Sequence, residues 1–261
     1  MNASDRLSAE EIRSHLPEAY RDNRIELFSV LDSTNSAAKR LAREGAAHGT
    51  LVLSEEQTAG RGRLGRSFYS PKGSGLYMSV ILRPERCATD AQTLTVTAAV
   101  AVSDAIEKLT GLSPSIKWVN DLYISGRKVC GILAETVSGA EDASGAVVLG
   151  VGVNCSTDFF PEDIRQKAGS LGVPVSRSAL AAEILSRLLE LAEKSDLSHI
   201  IEEYRRRSCI IGKNIVYSKD GVEEEAAAVA INDRGNLVVR RRDGELETLF
   251  SGEVSIKAEM T

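Results

Sequence analysis

The sequence predicts an α+β fold, in which a central β-sheet flanked by helices is followed by a small all-β unit. Up to about residue 207, strand-like segments alternate with helical ones. From Ile211 onwards, five short strands are separated by turn pairs such as Asp243-Gly244, a pattern typical of a small barrel. We therefore expect a large domain over residues 1–209 and a C-terminal β-barrel over residues 210–261.

Helix-capping residues and hydrophobic alternation predict the first three secondary-structure elements. Ser8-Ala9-Glu10-Glu11 is a capping box and predicts a short helix. An alternating strand over 25–31 leads into Asp32-Ser33-Thr34-Asn35, four residues that favour helix N-caps, and a helix over 36–44. The N-terminus of such a helix can hold a neutral or anionic ligand. The alternative is that these residues only cap the helix, but capping needs only one of the four, which favours a second role.

Apolar periodicity predicts the remaining elements of the large domain. Strands are expected over 50–55, 76–82 and 145–154, helices over 93–109, 178–194 and 200–207, and a hairpin turn at Ser125-Gly126-Arg127. In the strand over 145–154, Gly150 and Gly152 are two residues apart and therefore share a face. Glycines inside a strand commonly mark the close approach of a ligand.

The ten residues Gln57–Arg66 (QTAGRGRLGR) concentrate three arginines and three glycines. Glycine lets the backbone approach a ligand closely, and arginine binds carboxylate and phosphate oxygens. The segment also fits G-x-G-x-x-G, but no helix follows it, as a dinucleotide site would require. It is therefore interpreted as an anion-binding loop, with a solvated loop carrying incidental arginines as the alternative.

Further polar residues interrupt strands that otherwise look buried: Lys117, Asn120, Asp121 and Lys128. A buried lysine is costly unless it is paired or faces a ligand. Surface alternation would explain Lys128 but fits Lys117 poorly, since Trp118 follows it. The sequence contains neither a Walker A motif nor an evident catalytic triad. Such cations suit charge stabilisation in nucleotidyl transfer, so we expect activation of a substrate carboxylate by ATP.

Composition narrows the class of protein. The net charge of -5 and pI of about 5.4 argue against a general nucleic-acid binder. Cys87, Cys130, Cys155 and Cys209 form no C-x-x-C pair, and the three histidines are scattered, so neither a disulfide framework nor a metal site is expected. No signal peptide or membrane-spanning segment is apparent, and we expect a cytoplasmic protein without membrane contact.

Four motifs together resemble those of the biotin protein ligases. They are, in matching order over residues 25–155, Gly60–Arg66, the KWVND of Lys117–Asp121, the Gly-Ile-Leu after Lys128, and the GVGVN of Gly150–Asn154. The resemblance implies a mixed sheet like that of class II aminoacyl-tRNA synthetases and an SH3-like C-terminal barrel. Val119 replaces the proline usual in the second motif, which loosens the turn but removes no reacting group.

The resemblance implies a two-step reaction. Biotin and ATP, with Mg²⁺, form biotinyl-5′-AMP and pyrophosphate, and a lysine of a biotin carboxyl carrier protein then displaces AMP. Some members of the family carry an N-terminal DNA-binding domain. Only about two dozen residues precede the first predicted strand here, so we expect a monofunctional enzyme that does not bind DNA. The resemblance also allows a homodimer.

The resemblance assigns a role to each candidate residue. The catalytic residues would be Lys128, Arg61, Asp121 and Lys117. Biotin would be bound by Ser33, Thr34, Asn35, Gln57, Gly60, Arg61, Gly62, Arg63, Lys128, Gly131, Leu133 and Gly152. ATP would be bound by Arg63, Arg66, Phe68, Lys117, Asn120, Lys128 and Asn154. Asp121 would receive or orient the incoming amine, and Phe68 stands where the family usually stacks a tryptophan on adenine.

Two competing functions remain at this point. A lipoate-protein ligase would have the same fold and perform the same chemistry on a different acid, but the complete arginine loop and KWVND favour biotin. A single-stranded nucleic-acid-binding module could use the loop arginines, with Phe68 and Tyr69 as stacking groups. The acidic net charge argues against that module.

Overall fold

The computed structural model describes residues 5–83, 90–137, 145–194, 196–219 and 222–257. Its helices are α1 (Ala9–His15), α2 (Thr34–Arg43), α3 (Ala91–Thr110), α4 (Arg177–Ala192) and α5 (Ser198–Arg207). Its strands are β1 (Ile25–Phe28), β2 (Leu51–Ser54), β3 (Gly75–Leu82), β4 (Ser115–Lys117), β5 (Asp121–Ile124), β6 (Arg127–Thr136), β7 (Val147–Asn154), β8 (Asn214–Lys219), β9 (Val222–Ile231), β10 (Leu237–Arg241), β11 (Leu246–Leu249) and β12 (Val254–Ile256). Cys87 lies outside the described residues.

The larger sheet has seven strands in the order β1-β2-β3-β7-β6-β5-β4. The β1–β2 pair is parallel and the other pairs are antiparallel, so the sheet is mixed, as predicted. Leu51 and Leu53 of β2 point into the large core with α3 and α4, whereas Val52 points into a smaller cluster with α2. Because strand side chains alternate between faces, the sheet is covered by helices on both sides.

Most element boundaries differ from the predictions by only a few residues. The first strand ends at Phe28, and Leu31 instead forms an isolated bridge with Gln57. α2 begins at Thr34, directly after its N-cap residue Ser33. α3 ends at Thr110, and the capping residue Gly111 has a φ of 72°, the left-handed conformation expected of a glycine after a helix C-terminus.

The C-terminal strands form a separate antiparallel sheet in the order β11-β10-β9-β8-β12. This confirms the five predicted strands, and the division at residue 210 stays a prediction. The sheet packs against the large domain, since its buried Ile215 and Leu237 belong to the same hydrophobic core as α3 and α4. The Trp118 indole nitrogen also donates to the Gly235 carbonyl at 2.9 Å. None of the described helices is both long and apolar enough to cross a bilayer.

Candidate active site

One pocket brings together side chains from both sheets and from the arginine loop. Of the residues predicted from the sequence, it is lined by Ser33, Thr34, Asn35, Gln57, Arg61, Gly62, Arg63, Arg66, Phe68, Lys117, Asn120, Asp121, Lys128, Gly131, Leu133 and Gly152. Gly60 and Asn154 do not line it. The Asn154 amide nitrogen instead donates to the Gly169 carbonyl at 2.9 Å and anchors the loop that follows β7.

The start of α2 forms one end of the pocket. Ser33, Thr34 and Asn35 are all buried. Gln57 Oε1 accepts from the Thr34 backbone N–H at 2.8 Å and from the Thr34 hydroxyl at 3.1 Å. This end therefore presents neutral hydrogen-bonding groups, which suit an uncharged polar ligand.

The arginine loop is a short hairpin. Arg61 pairs with Ser67, and the Phe68 N–H donates to the Gly60 carbonyl at 2.9 Å. The tip turns at Leu64 and Gly65, both with positive φ. A Cβ atom on Gly60 would lie 2.4 Å from the Phe68 carbonyl oxygen, so this glycine shapes the loop without reaching the pocket.

The Phe68 ring lies over the two glycines predicted to leave room for a ligand. A Cβ atom would approach that ring to 2.6 Å at Gly152 and to 3.2 Å at Gly131. The ring also makes an edge contact with Tyr77, with centroids 6.4 Å apart. The glycines do open space on β6 and β7, and in this structure Phe68 fills it.

Three of the pocket's cations already have carboxylate partners. Lys128 Nζ lies 2.7 Å from Asp121 Oδ1. An Arg61 guanidinium nitrogen lies 3.4 Å from Glu135 Oε1. Arg66 forms a two-point pair with Glu253, which directly precedes β12. An incoming anion must therefore compete with resident carboxylates for these cations.

The other two cations have no carboxylate within 4 Å among the described residues. Arg63 donates to Asn120 Oδ1 at 3.0 Å and to the Gly252 carbonyl at 3.2 Å. Lys117 Nζ lies 5.7 Å from the centre of the Tyr123 ring. Burial lowers the pKa of both residues, and the nearby Asp121 charge offsets part of that shift. They are the cations most available to phosphate.

The turn that carries Asn120 and Asp121 is held from outside the large sheet. The buried Tyr204 hydroxyl of α5 donates to the Val119 carbonyl at 2.9 Å. The Trp118–Val119 peptide bond is cis. The Asn120 amide nitrogen donates to the Ile132 carbonyl at 2.9 Å, leaving its oxygen directed at Arg63.

Sequence reasoning missed several polar residues in or beside the pocket. Gly252 and Glu253 line it from the segment between β11 and β12, and no local motif marks them. Glu135 lies on β6 beyond the recognised motif. Ser79 is fully buried in the apolar strand β3, and this interruption was the one available signal.

The chain is similar to several known proteins. The model of the biotin/lipoate A/B protein ligase family matches residues 27–154. A biotin–[acetyl-CoA-carboxylase] ligase from Paracoccus denitrificans is 31% identical over 243 residues, covering 87% of this chain and 100% of that protein. The bifunctional ligase/repressor BirA of Bacillus subtilis is 32% identical over 260 residues, covering 96% of this chain and 79% of that protein.

A solved structure is also similar. The biotin protein ligase from Aquifex aeolicus in complex with biotin and ATP has a TM-score of 0.77 and 26% identity, covering 90% of this chain and 98% of that one. The matched family segment runs from within β1 to the end of β7 and contains every predicted site residue. This chain therefore belongs to the biotin/lipoate A/B protein ligase family.

Proposed function

We propose that this protein is an ATP-dependent biotin–protein ligase. It activates biotin as biotinyl-5′-AMP and transfers it to a lysine of a biotin carboxyl carrier protein. The observation that carries the proposal is the shared pocket, which joins neutral groups of the α2 N-terminus to a cluster of cations. One pocket can thus hold an uncharged ring system at one end and a carboxylate with phosphates at the other.

The neutral end binds the ureido group of biotin. Thr34 and Gln57 supply hydroxyl and amide groups already fixed by mutual hydrogen bonds. Preorganised groups of this kind lose little freedom when a ligand binds. Arg61 to Arg63 close over the bound acid from the loop side.

The cationic end supports adenylation. A biotin carboxylate oxygen attacks the α-phosphorus of ATP, the new O–P bond forms, and pyrophosphate leaves. Lys128 stands where negative charge gathers between the carboxylate and the α-phosphate, while Lys117, Arg63 and Arg66 hold phosphate oxygens. Fixed cations aimed at developing charge commonly provide the largest catalytic effect.

Mg²⁺ would neutralise charge on the ATP phosphates. The described residues contain no group of three or more His, Cys, Asp or Glu side chains that could hold a metal ion. Mg²⁺ is usually held by one or two carboxylates together with substrate phosphates and water. Asp121, whose carboxylate lines the pocket, fits that donor set.

Transfer follows in the same pocket. The carrier lysine amine attacks the carbonyl carbon of the mixed anhydride, the C–N bond forms, and AMP leaves. Asp121 orients this amine or receives its proton, a role for which its carboxylate must be ionised.

The remaining assignments extend the proposal. The catalytic unit comprises residues 1–209 and the SH3-like unit residues 210–261. The partner is a biotin carboxyl carrier domain. DNA is not a partner, since the net charge of -5 disfavours binding to a polyanion. A cytoplasmic location is supported by Cys130, Cys155 and Cys209, which are free thiols. A homodimer formed through the sheet is also consistent with the fold.

The test is ATP–pyrophosphate exchange by the purified protein with biotin, lipoate or no acid. We expect exchange that requires biotin, followed by biotin transfer to a carrier domain when one is added. Exchange that requires lipoate would assign the protein to the other branch of the family. If neither acid supports exchange, the proposal is wrong, and binding of single-stranded nucleic acid at low salt would be measured next.

A further inference from the structure

Two large apolar side chains stand in solvent near the mouth of the pocket. Leu64, at the tip of the arginine loop, is 74% exposed and lines the pocket. Phe250 is 69% exposed and lies two residues before Gly252, which also lines the pocket. The two segments are joined, because Arg63 donates to the Gly252 carbonyl at 3.2 Å. Leu64 and Phe250 therefore lie near the same part of the pocket mouth, and we call them the apolar rim.

The hairpin turn does not explain a leucine at its tip. Leu64 has a φ of 54° and a ψ of 36°, the left-handed conformation that a Cβ atom disfavours. The Gly62 N–H donates to the Arg66 carbonyl at 2.7 Å and closes the turn without using the Leu64 side chain. Glycine or asparagine would fit this backbone better, and a polar side chain would suit solvent better. The leucine therefore serves something outside the loop.

Exposure alone does not make a binding surface. Single apolar side chains on a protein surface are ordinary, and Phe159, Val222 and Leu246 are exposed to a similar degree. The apolar rim differs in its position. Its two members come from segments 189 residues apart in the chain, and folding brings both to the opening of the candidate active site.

The proposed transfer step requires a protein surface at this opening. The Asp121 side chain, which receives the incoming amine, is only 20% exposed, and its partner Lys128 is 33% exposed. A lysine amine ends a four-carbon stem. When such an amine reaches Asp121, the protein that carries it must therefore cover the pocket mouth. The apolar rim is the apolar area that this protein would remove from water.

We propose that Leu64 and Phe250 form a docking surface for the biotin carboxyl carrier domain, and that they contact the residues beside its acceptor lysine. This inference rests on the proposed function. The matching surface on the carrier presents apolar atoms around the lysine, because apolar side chains gain affinity by leaving water together. The apolar rim thus selects the acceptor protein, whereas the cations and Asp121 perform the chemistry.

The test compares two reactions of the full-length protein. Biotin-dependent ATP–pyrophosphate exchange needs no carrier, whereas biotin transfer is measured over a range of carrier-domain concentrations. Phe250→Ser should raise the KM for the carrier domain roughly tenfold, as expected when one apolar side chain is no longer buried. The kcat at saturating carrier and the exchange rate should both stay within about twofold of wild type, because docking alone is lost.

Leu64→Asn provides an independent variant on the other segment. Asparagine tolerates the left-handed conformation, so this substitution removes the apolar side chain and relaxes the turn. A higher KM for the carrier in Leu64→Asn therefore does not arise from strain in the loop. Leu64→Met keeps an apolar side chain of similar size and should retain the wild-type KM.

Leu246→Ser is the matched control. Leu246 is 64% exposed on β11, at the opposite edge of the C-terminal sheet from β12, so the variant should behave as wild type. An unchanged carrier KM in both Phe250→Ser and Leu64→Asn, or an equal loss of exchange and transfer, would overturn the docking surface alone. A wild-type protein without biotin-dependent exchange would overturn the proposed function and the docking surface with it.

Discussion

Lys128 and Asp121 form an ion pair inside the pocket, with Nζ 2.7 Å from Oδ1. They lie on the neighbouring strands β6 and β5, whose pairing shifts register between Leu122 and Tyr123. The pair joins the cation assigned to the reacting carboxylate with the carboxylate assigned to the incoming amine. Because the two groups serve different half-reactions, separate substitutions should distinguish their roles.

Lys128→Met should slow adenylation. The substitution removes the positive charge at the point where the biotin carboxylate meets the α-phosphate, and it leaves Asp121 unpaired. We expect biotin-dependent ATP–pyrophosphate exchange to fall by about 10²–10³-fold. Lys108→Met, on the outer surface of α3, is the control and should retain wild-type exchange. A loss of less than about threefold in Lys128→Met would rule out this role.

Asp121→Asn should affect transfer more than adenylation. The amide keeps the size of the side chain but accepts a proton poorly, so the carrier lysine loses its base. We expect transfer from preformed biotinyl-5′-AMP to slow by roughly 10²-fold or more, with a smaller effect on pyrophosphate exchange. Single-turnover transfer to a carrier domain and exchange are measured on the same preparation. Equal losses in both would mean that Asp121 acts in adenylation, as a ligand of Mg²⁺, and is not the base for transfer.

Lys117 should give ATP use an alkaline limit. Burial lowers its pKa from the ordinary value of 10.5, partly offset by Asp121. The ammonium is charged below its pKa, so phosphate binding is intact at lower pH and is lost as pH rises through the lowered value. We expect kcat/KM for ATP to fall as the pH rises, with the midpoint of the fall below pH 10.5.

The control for this pH profile is Lys117→Arg. Arginine stays protonated to above about pH 12, so the alkaline fall should disappear even if the rate is lower. The neighbouring Tyr123 does not titrate in this range, because burial raises its pKa to about 12. An alkaline limb of the same position in Lys117→Arg would show that another group causes it.

Gly235 should be needed to dock the C-terminal sheet. Its φ is +76°, and a Cβ atom there would lie 2.6 Å from Val96 Cγ2 of α3. Gly235→Ala should therefore combine backbone strain with overpacking and destabilise the fold by about 2–4 kcal/mol. Denaturant unfolding gives the loss. Trp118, the only tryptophan and a donor to the Gly235 carbonyl, should show a red-shifted emission.

Gly244→Ala separates strain from the clash. Gly244 has a φ of +90° but no atom within 4 Å of an added Cβ. The variant should lose about 1–2 kcal/mol, the cost of the left-handed conformation alone, and keep the emission of wild type. Equal losses in the two variants would mean that contact with Val96 contributes nothing.

Local sequence patterns determined most of the secondary structure and part of the candidate site. Alternation and capping predicted nearly every described element, because burial on one face imposes a period that neighbouring residues reveal. Glycines beside arginines marked the loop, and polar residues in apolar strands marked Lys117 and Asp121. These signals work because each requirement is met by residues close together in the chain.

Tertiary structure alone decided which charges meet. Glu135 reaches Arg61, and Glu253 reaches Arg66 from the opposite end of the chain, yet neither glutamate stands out in sequence. Asn154 sits in a recognised motif but turns its amide to Gly169 instead of the pocket. Ion pairs depend on strand register and on the docking of the second sheet, so side chains distant in sequence become partners only when the chain has folded.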